Sequence, residues 1–262
     1  MQDLIVSLIQ SELHWHSIEA NLAMFEEKIW LLEQKSDVIL LPEMFNTGFS
    51  MDVSHSEPMN SKTFRWMHQM AAQTKALILG SYMVKVDGQN FNRLLWMEPS
   101  GDFAHYDKRH LFRMANEDQF FAEGNERLIR NWKGWNICPL VCYDLRFPVW
   151  SRNPVIDGSF AYDLLVYVAN WPQARSQAWD TLLRARAIEN ACYTIGLNRI
   201  GSDGNGIEYN GHSSIYDYKG DTLFYAKDQP TNHSLAINYK SLINYRDAFP
   251  VQLDADNFEI TH

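Results

Sequence analysis

Cysteines, basic clusters and long apolar runs are scarce in this 262-residue chain. Its 23 basic residues are outnumbered by 32 acidic ones, and no Lys/Arg cluster is present that could neutralise a row of phosphates or dock on an anionic bilayer. No apolar run approaches the ~20 residues of a membrane-spanning helix, and the first residues lack the basic start of a signal peptide. We therefore expect a cytoplasmic protein with neither a nucleic-acid partner nor a membrane partner.

The three cysteines, Cys138, Cys142 and Cys192, argue against a disulfide framework, because their number is odd and the chain is long. Cys138 and Cys142 would lie about 13 Å apart along one strand, beyond the ~4.4–6.8 Å Cα separation that a disulfide tolerates. The nine histidines show no recognisable zinc-ligand spacing. The sequence thus predicts reduced thiols and no metal site.

Apolar segments typical of strands and of helices alternate along the chain. Because 46% of the residues are apolar and the chain is long enough for one large core, we expect residues 1–262 to form a single domain. The segments favour strands at residues 4–9, 37–42, 76–84, 137–141, 163–169 and 193–198, hairpins at 92–107 and 213–226, a loop at 201–211, and helices at 19–33, 61–74 and 176–191. Strands interleaved with helices, together with hairpins, predict a layered α/β fold with a mixed sheet.

Three ionisable residues stand where an apolar strand stops. Glu43 follows DVILLP, Lys108 follows FAHYD, and Cys142 follows ICPLV. An unpaired buried charge is costly, so we expect the three strand ends to converge and their charges to compensate each other. Each residue alone is better explained by an exposed strand end or, for the cysteine, by a small buried hydrophobe. Only the joint placement favours a Glu/Lys/Cys cluster.

Five segments, LPEMF, YDKRHLF, VCYDLRFP, YVANWP and RARAIEN, resemble those of the nitrilase superfamily of carbon–nitrogen hydrolases and follow one another in the family's order. The chain is most similar to the omega-amidase branch, which hydrolyses the terminal amide of 2-oxo acids such as 2-oxoglutaramate. The resemblance implies a four-layer α-β-β-α sandwich with two mixed β-sheets, which forms a homodimer through its helix layers. It also implies a small-molecule amide substrate and no cofactor.

The same resemblance assigns catalytic roles. It implies Glu43 as the general base, Lys108 as the oxyanion stabiliser, Cys142 as the nucleophile and Glu117 as the family's second glutamate, which orients the lysine. The backbone N–H of Tyr143 is a second candidate donor to the oxyanion. An unperturbed thiol is only about 3% thiolate at pH 7, so attack on an amide needs such a base beside it.

Arg146 is the candidate for binding a substrate carboxylate. It lies four residues after Cys142, and a guanidinium can hold a carboxylate through two parallel hydrogen bonds. The alternative is a structural ion pair with Asp144, and Arg113 and Arg175 are further candidates for the same role.

Phe45, Phe147 and Trp171, together with the Tyr143 side chain, are candidates for the pocket wall. With 13% aromatic residues in the chain, a place in the core explains each of them equally well.

The fold leaves alternatives open for the function of the whole protein as well: a nitrilase, an N-carbamoyl amide hydrolase, or a non-catalytic dimeric ligand-binding protein.

Overall fold

The structure is a computed structural model and describes residues 2–256, 259 and 260. Within this part of the chain, the α-helices are α1 (Ile18–Trp30), α2 (Lys62–Thr74), α3 (Glu117–Phe120), α4 (Pro148–Ser151), α5 (Ser176–Asn190) and α6 (Tyr239–Ala248). The β-strands are β1 (Leu4–Gln10), β2 (Val38–Leu40), β3 (Glu57–Pro58), β4 (Leu77–Val86), β5 (Gln89–Met97), β6 (Phe103–Asp107), β7 (Arg130–Trp132), β8 (Trp135–Val141), β9 (Val155–Ile156), β10 (Ser159–Phe160), β11 (Leu164–Ala169), β12 (Tyr193–Asn198), β13 (Ile200–Ser202), β14 (Glu208–Asn210), β15 (Ser214–Tyr216), β16 (Thr222–Tyr225) and β17 (Thr231–Ile237).

Most strands belong to two large sheets. The first has the order β17-β1-β2-β4-β5-β6, with β3 beside β4, and the second has the order β16-β15-β12-β11-β8-β7. Strands β1, β2 and β4 pair in parallel, as do β8, β11 and β12, whereas the outer strands of both sheets pair antiparallel. Both sheets are therefore mixed, which confirms the fold class expected from the sequence.

The two faces of the first sheet are buried against different layers. Along β2, Val38 and Leu40 belong to the core between the two sheets, while Ile39 belongs to the core beneath α1 and α2. This alternation is the period-two pattern of a strand buried on both faces. Helix α5 covers the outer side of the second sheet, where a Cβ added at Gly196 of β12 would lie only 2.3 Å from Leu183 Cδ1. The result is the four-layer α-β-β-α sandwich.

One segment differs from the prediction. Residues 201–211 were expected to form a loop, but residues 200–210 form a short hairpin in which β13 pairs with β14. The Asp203 carboxylate closes its turn by accepting the backbone N–H groups of Asn205 and Ile207 at 2.8 and 3.0 Å. These side chain–backbone bonds stabilise strands too short and too rich in glycine to show a periodic apolar pattern.

None of the described helices is long and apolar enough to cross a membrane.

Candidate active site

The strand ends that were expected to converge do meet in the structure. Lys108, directly after β6, donates hydrogen bonds from Nζ to Glu43 Oε1 at 2.9 Å and to Glu117 Oε2 at 2.9 Å. All three side chains are buried, and Cys142, directly after β8, lies beside them with 8% of its surface exposed. The structure thus brings together the four residues that were candidates for catalysis.

The Cys142 thiol is held at the start of a 3₁₀ turn, Cys142–Arg146, with a backbone φ of +46°. A positive φ is uncommon for a residue with a Cβ, and such outliers concentrate at functional sites. Burial raises the pKa of the Cys142 thiol well above its usual value, and the charge of Glu43 raises it further, against an opposing effect of Lys108. The thiol is therefore protonated at neutral pH; it donates to the Asn170 carbonyl at 3.8 Å, and the neighbouring Glu43 carboxylate is placed to take its proton.

The charges of the other buried groups depend on one another. Burial alone would lower the pKa of Lys108, but the carboxylates of Glu117 and Glu43 outweigh this effect and raise it above the usual lysine value. Burial raises the pKa of Glu117, and the charge of Glu43 adds to that rise, while Lys108 opposes it. The lysine is therefore charged at neutral pH, and its ammonium compensates the buried carboxylates around it.

Two asparagines complete the cluster, and sequence reasoning missed both. Asn92 donates from Nδ2 to Glu43 Oε1 at 2.8 Å and to Glu117 Oε1 at 3.2 Å. Asn170 donates its backbone N–H to Glu43 Oε2 at 2.8 Å and its side-chain N–H to the Glu43 carbonyl at 2.5 Å. Asn170 directly follows β11, so the strand-end argument could have found it, whereas Asn92 lies inside β5 and carries no such signal. Together they fix the orientation of the Glu43 carboxylate.

Asp144 connects the 3₁₀ turn that begins at Cys142 to the segment that follows Lys108. Its buried carboxylate accepts hydrogen bonds from Tyr106 Oη at 2.7 Å, from the Val141 N–H at 3.0 Å and from the His110 N–H at 3.0 Å. The alternative in which Asp144 forms an ion pair with Arg146 is therefore wrong, because the carboxylate is committed to these donors. The ends of β6 and β8 are held together by this one side chain.

A cavity of about 690 Å³ opens beside the cluster, with Lys108 and Cys142 in its wall. Trp171 lines it, as expected, and so does Tyr143. Its wall also contains aromatic and apolar side chains that the sequence did not single out: Trp15, Phe49, Phe112, Met114, Ile207 and Tyr209. These residues come from loops far apart in the chain, so no local pattern marks them as neighbours.

The prediction that Phe45 and Phe147 line the pocket is wrong, because neither residue is part of the cavity wall. Phe45 is fully buried beneath the helices, with its ring centroid 5.7 Å from that of Phe25 and 5.8 Å from that of Trp66. Phe147 stacks on His110 at 3.7 Å between ring centroids. Both aromatic side chains stabilise the surroundings of the site without facing a substrate.

Two of the three candidate arginines line the cavity. The Arg146 guanidinium lies 5.1 Å from the centroid of the Trp171 ring, and the Trp171 Nε1–H donates to the Arg175 carbonyl at 2.9 Å. Arg113 is not part of the wall, and its largely exposed side chain forms an ion pair with Asp118 at 2.6 Å. The structure therefore leaves Arg146 and Arg175 as the candidates for binding an anionic group.

One group of side chains in the described part of the chain could hold a metal ion. His16, Asp52 and His55 place potential ligand atoms within 4.8 Å of one another, and the first two also line the cavity. None of the three contacts the cluster around Cys142 among the described residues. The expectation that the protein needs no metal stays a prediction.

Comparisons with known proteins agree with this geometry. The carbon-nitrogen hydrolase family matches residues 5–238. Omega-amidase YafV of Escherichia coli (strain K12) is 45% identical over 99% of this chain and 100% of its own, and the 2-oxoglutaramate amidase of Bacillus subtilis is 28% identical over 94% and 95%. The crystal structure of XC1258 from Xanthomonas campestris, a CN-hydrolase superfamily protein with an arsenic adduct in its active site, matches with a TM-score of 0.98 and 43% identity over 100% of both chains. The chain therefore belongs to the carbon–nitrogen hydrolase family.

Proposed function

We propose that the protein is an omega-amidase that hydrolyses the terminal amide of small carboxylate-bearing substrates, such as 2-oxoglutaramate, to the acid and ammonia. The observation that carries the proposal is a buried Cys142 thiol beside Glu43 and Lys108, in the wall of a cavity that also contains Arg146. The names of the Escherichia coli and Bacillus subtilis relatives support the same reaction and substrate class.

The first step is attack on the amide. Glu43 accepts the thiol proton as Cys142 Sγ bonds to the amide carbon, and negative charge develops on the amide oxygen. Lys108 has three N–H bonds and two carboxylate partners, so one N–H can turn to this oxygen. The Tyr143 N–H lies in the first turn of a helix, where N–H groups have no acceptor within the helix, and it serves as the second donor.

The later steps reuse the same glutamate. Glu43 returns its proton to the nitrogen, the C–N bond breaks, and ammonia leaves a thioester on Cys142. Glu43 then takes a proton from water as the water attacks the thioester, and the restored thiol leaves with the release of the acid. Glu117 positions the Lys108 ammonium throughout, and no step requires a cofactor.

A panel of amides tests this function. We expect ammonia release from 2-oxoglutaramate and succinamate to be faster, at equal concentration, than turnover of the matching nitrile or N-carbamoyl acid. Faster turnover of the nitrile or of the N-carbamoyl acid would identify the protein as a nitrilase or a carbamoyl hydrolase instead. No turnover of any compound, with tight binding, would favour the non-catalytic binding protein.

Arg146 should bind the substrate carboxylate, since it faces the cavity without a carboxylate partner among the described residues. Replacing it by methionine should raise KM for 2-oxoglutaramate about 10–100-fold, the effect of losing hydrogen bonds to a charged group. Pentanamide is the control substrate, because it has the same amide but no carboxylate, and its kcat/KM should stay unchanged. An equal loss on both substrates would mean that Arg146 supports the site rather than the carboxylate.

We further propose that residues 1–262 act as one carbon–nitrogen hydrolase domain, in a cytoplasmic homodimer. The three cysteines, which are all free and buried, support a reducing compartment. The dimer is supported by the resemblance to the nitrilase superfamily, whose members associate through their helix layers.

A further inference from the structure

We propose that Arg175 binds the 2-oxo oxygen of the substrate and thereby makes the enzyme prefer 2-oxo acid amides to the same amides without the oxo group. The proposal rests on the function given above for the amide end, and it adds a second cationic subsite at the other end of the substrate. Arg146 holds the carboxylate there, and Arg175 recognises the neighbouring carbonyl.

The first observation is that two cations in one cavity lack counter-charges. Neither Arg146 nor Arg175 forms an ion pair within the described part of the chain, although acidic residues outnumber basic ones by 32 to 23. The side chains of the other described arginines donate to protein oxygens, among them carboxylates for Arg93 and Arg246 and backbone carbonyls for Arg127 and Arg199, whereas neither cavity arginine has such an acceptor among the described residues. Two guanidinium groups without carboxylate partners in one pocket indicate a ligand with two separate acceptor groups.

The second observation is how the Arg175 side chain is held. Its guanidinium carbon lies 5.5 Å from the centroid of the Phe112 ring, and its Nη2 lies 2.9 Å from Met114 Sδ. A ring face and a thioether are weak acceptors, so the strong N–H donors of Arg175 remain available. Trp171 contacts both arginine residues, since the Arg146 guanidinium packs over its ring and its Nε1–H donates to the Arg175 backbone carbonyl.

The carboxylates of the cavity do not neutralise these arginines. Asp203 accepts the backbone N–H of Asn205, that of Ile207 and the hydroxyl of Tyr209, so its oxygens are occupied within the hairpin. Asp52 accepts the Ser54 N–H at the start of its own turn. Both acids repel an anionic substrate from their side of the cavity, which directs its acid end towards the two arginines.

A 2-oxo acid fits this pair of cations. Its carboxylate and oxo oxygens are on adjacent carbons, and the planar fork of a guanidinium suits oxygens that lie side by side. One arginine is sufficient for a carboxylate alone. The second arginine gains hydrogen bonds only when the neighbouring carbon carries an oxygen, and this difference is a basis for selectivity.

Binding measured in a Cys142→Ala background tests the proposal without turnover. Titration calorimetry should show 2-oxoglutaramate binding about 10-fold more tightly than glutaramate, which has a CH₂ group in place of the oxo group. Adding Arg175→Met should bring this ratio close to one and change glutaramate affinity little. Adding Arg146→Met should weaken both ligands, and Arg113→Met, which removes the same charge outside the cavity, should leave the ratio intact.

The proposal is overturned if Arg175→Met preserves the preference or weakens both ligands equally. Arg175→Lys covers the case in which the methionine variant fails to fold, because lysine retains the positive charge. It lacks the planar guanidinium group, so the variant should lose most of the preference for 2-oxoglutaramate over glutaramate. Since these are binding measurements, a wild-type protein that releases no ammonia would refute the amidase function while leaving the ratio to decide the role of Arg175.

Discussion

Replacing Cys142 by alanine should lower kcat for ammonia release from 2-oxoglutaramate by about 10⁵-fold or more, because the bond-forming atom is lost. No other thiol can substitute for it. Cys138 and Cys192 are fully buried, and burial raises the pKa of each to about 12. Intact-mass spectrometry after rapid quenching should show the acyl adduct on the wild-type protein and none on the variant.

Cys192→Ala is the matched control for this experiment. It removes a buried thiol directly before β12, outside the cavity wall, and should keep both hydrolysis and the acyl adduct. Ammonia release that persists in Cys142→Ala would contradict the covalent mechanism. Absence of both turnover and adduct in the wild-type protein would instead favour a binding protein.

Replacing Glu43 by glutamine should reduce kcat by about 10²–10⁴-fold, since an amide cannot accept the thiol proton. The same change should also lower the pKa of the Cys142 thiol. Burial and the charge of Glu43 both raise the pKa of Cys142, and Lys108 lowers it, so removing the glutamate charge removes one of the two main raising effects. The variant should therefore form thiolate at lower pH than the wild type, while hydrolysing substrate more slowly.

Ultraviolet absorbance of the thiolate, followed against pH, measures this shift, with Cys142→Ala as the blank. Glu123→Gln is the control substitution, because its carboxylate is largely exposed near Arg109 and is not part of the buried cluster. It should change neither the thiol titration nor the rate. A Glu43→Gln protein with full activity, or with an unchanged or higher thiol pKa, would rule out Glu43 as the base.

The catalytic cluster could be anticipated from the sequence to an unusual extent. Glu43, Lys108 and Cys142 each follow a recognisable strand. Because burying an unpaired charge is costly, the simplest explanation is that the three strand ends meet and their charges compensate each other. The resemblance to the nitrilase superfamily added Glu117, which lies in a short helix with no such signal. Asn92 was missed because a polar residue in a strand interior reads as an exposed position.

The cavity could be anticipated much less well. Phe45 follows Glu43 by two residues, yet it packs between the first sheet and the helices, while Phe112, the last residue of the YDKRHLF segment, lines the cavity. The hairpin at residues 200–210 was missed for a related reason: bonds from the Asp203 side chain hold it, and such bonds leave no periodic trace in the sequence.

The order of the main strands and helices, the mixed α/β class and the residues at which the key strands end could all be inferred from the sequence. Periodic burial and abrupt changes of polarity are properties of neighbouring residues, so they can be read along the chain. Which aromatic side chains line the cavity, and that Arg146 and Arg175 but not Arg113 do so, became clear from the folded structure alone. A cavity wall is assembled from loops distant in sequence, and its composition depends on how the layers pack rather than on any one segment.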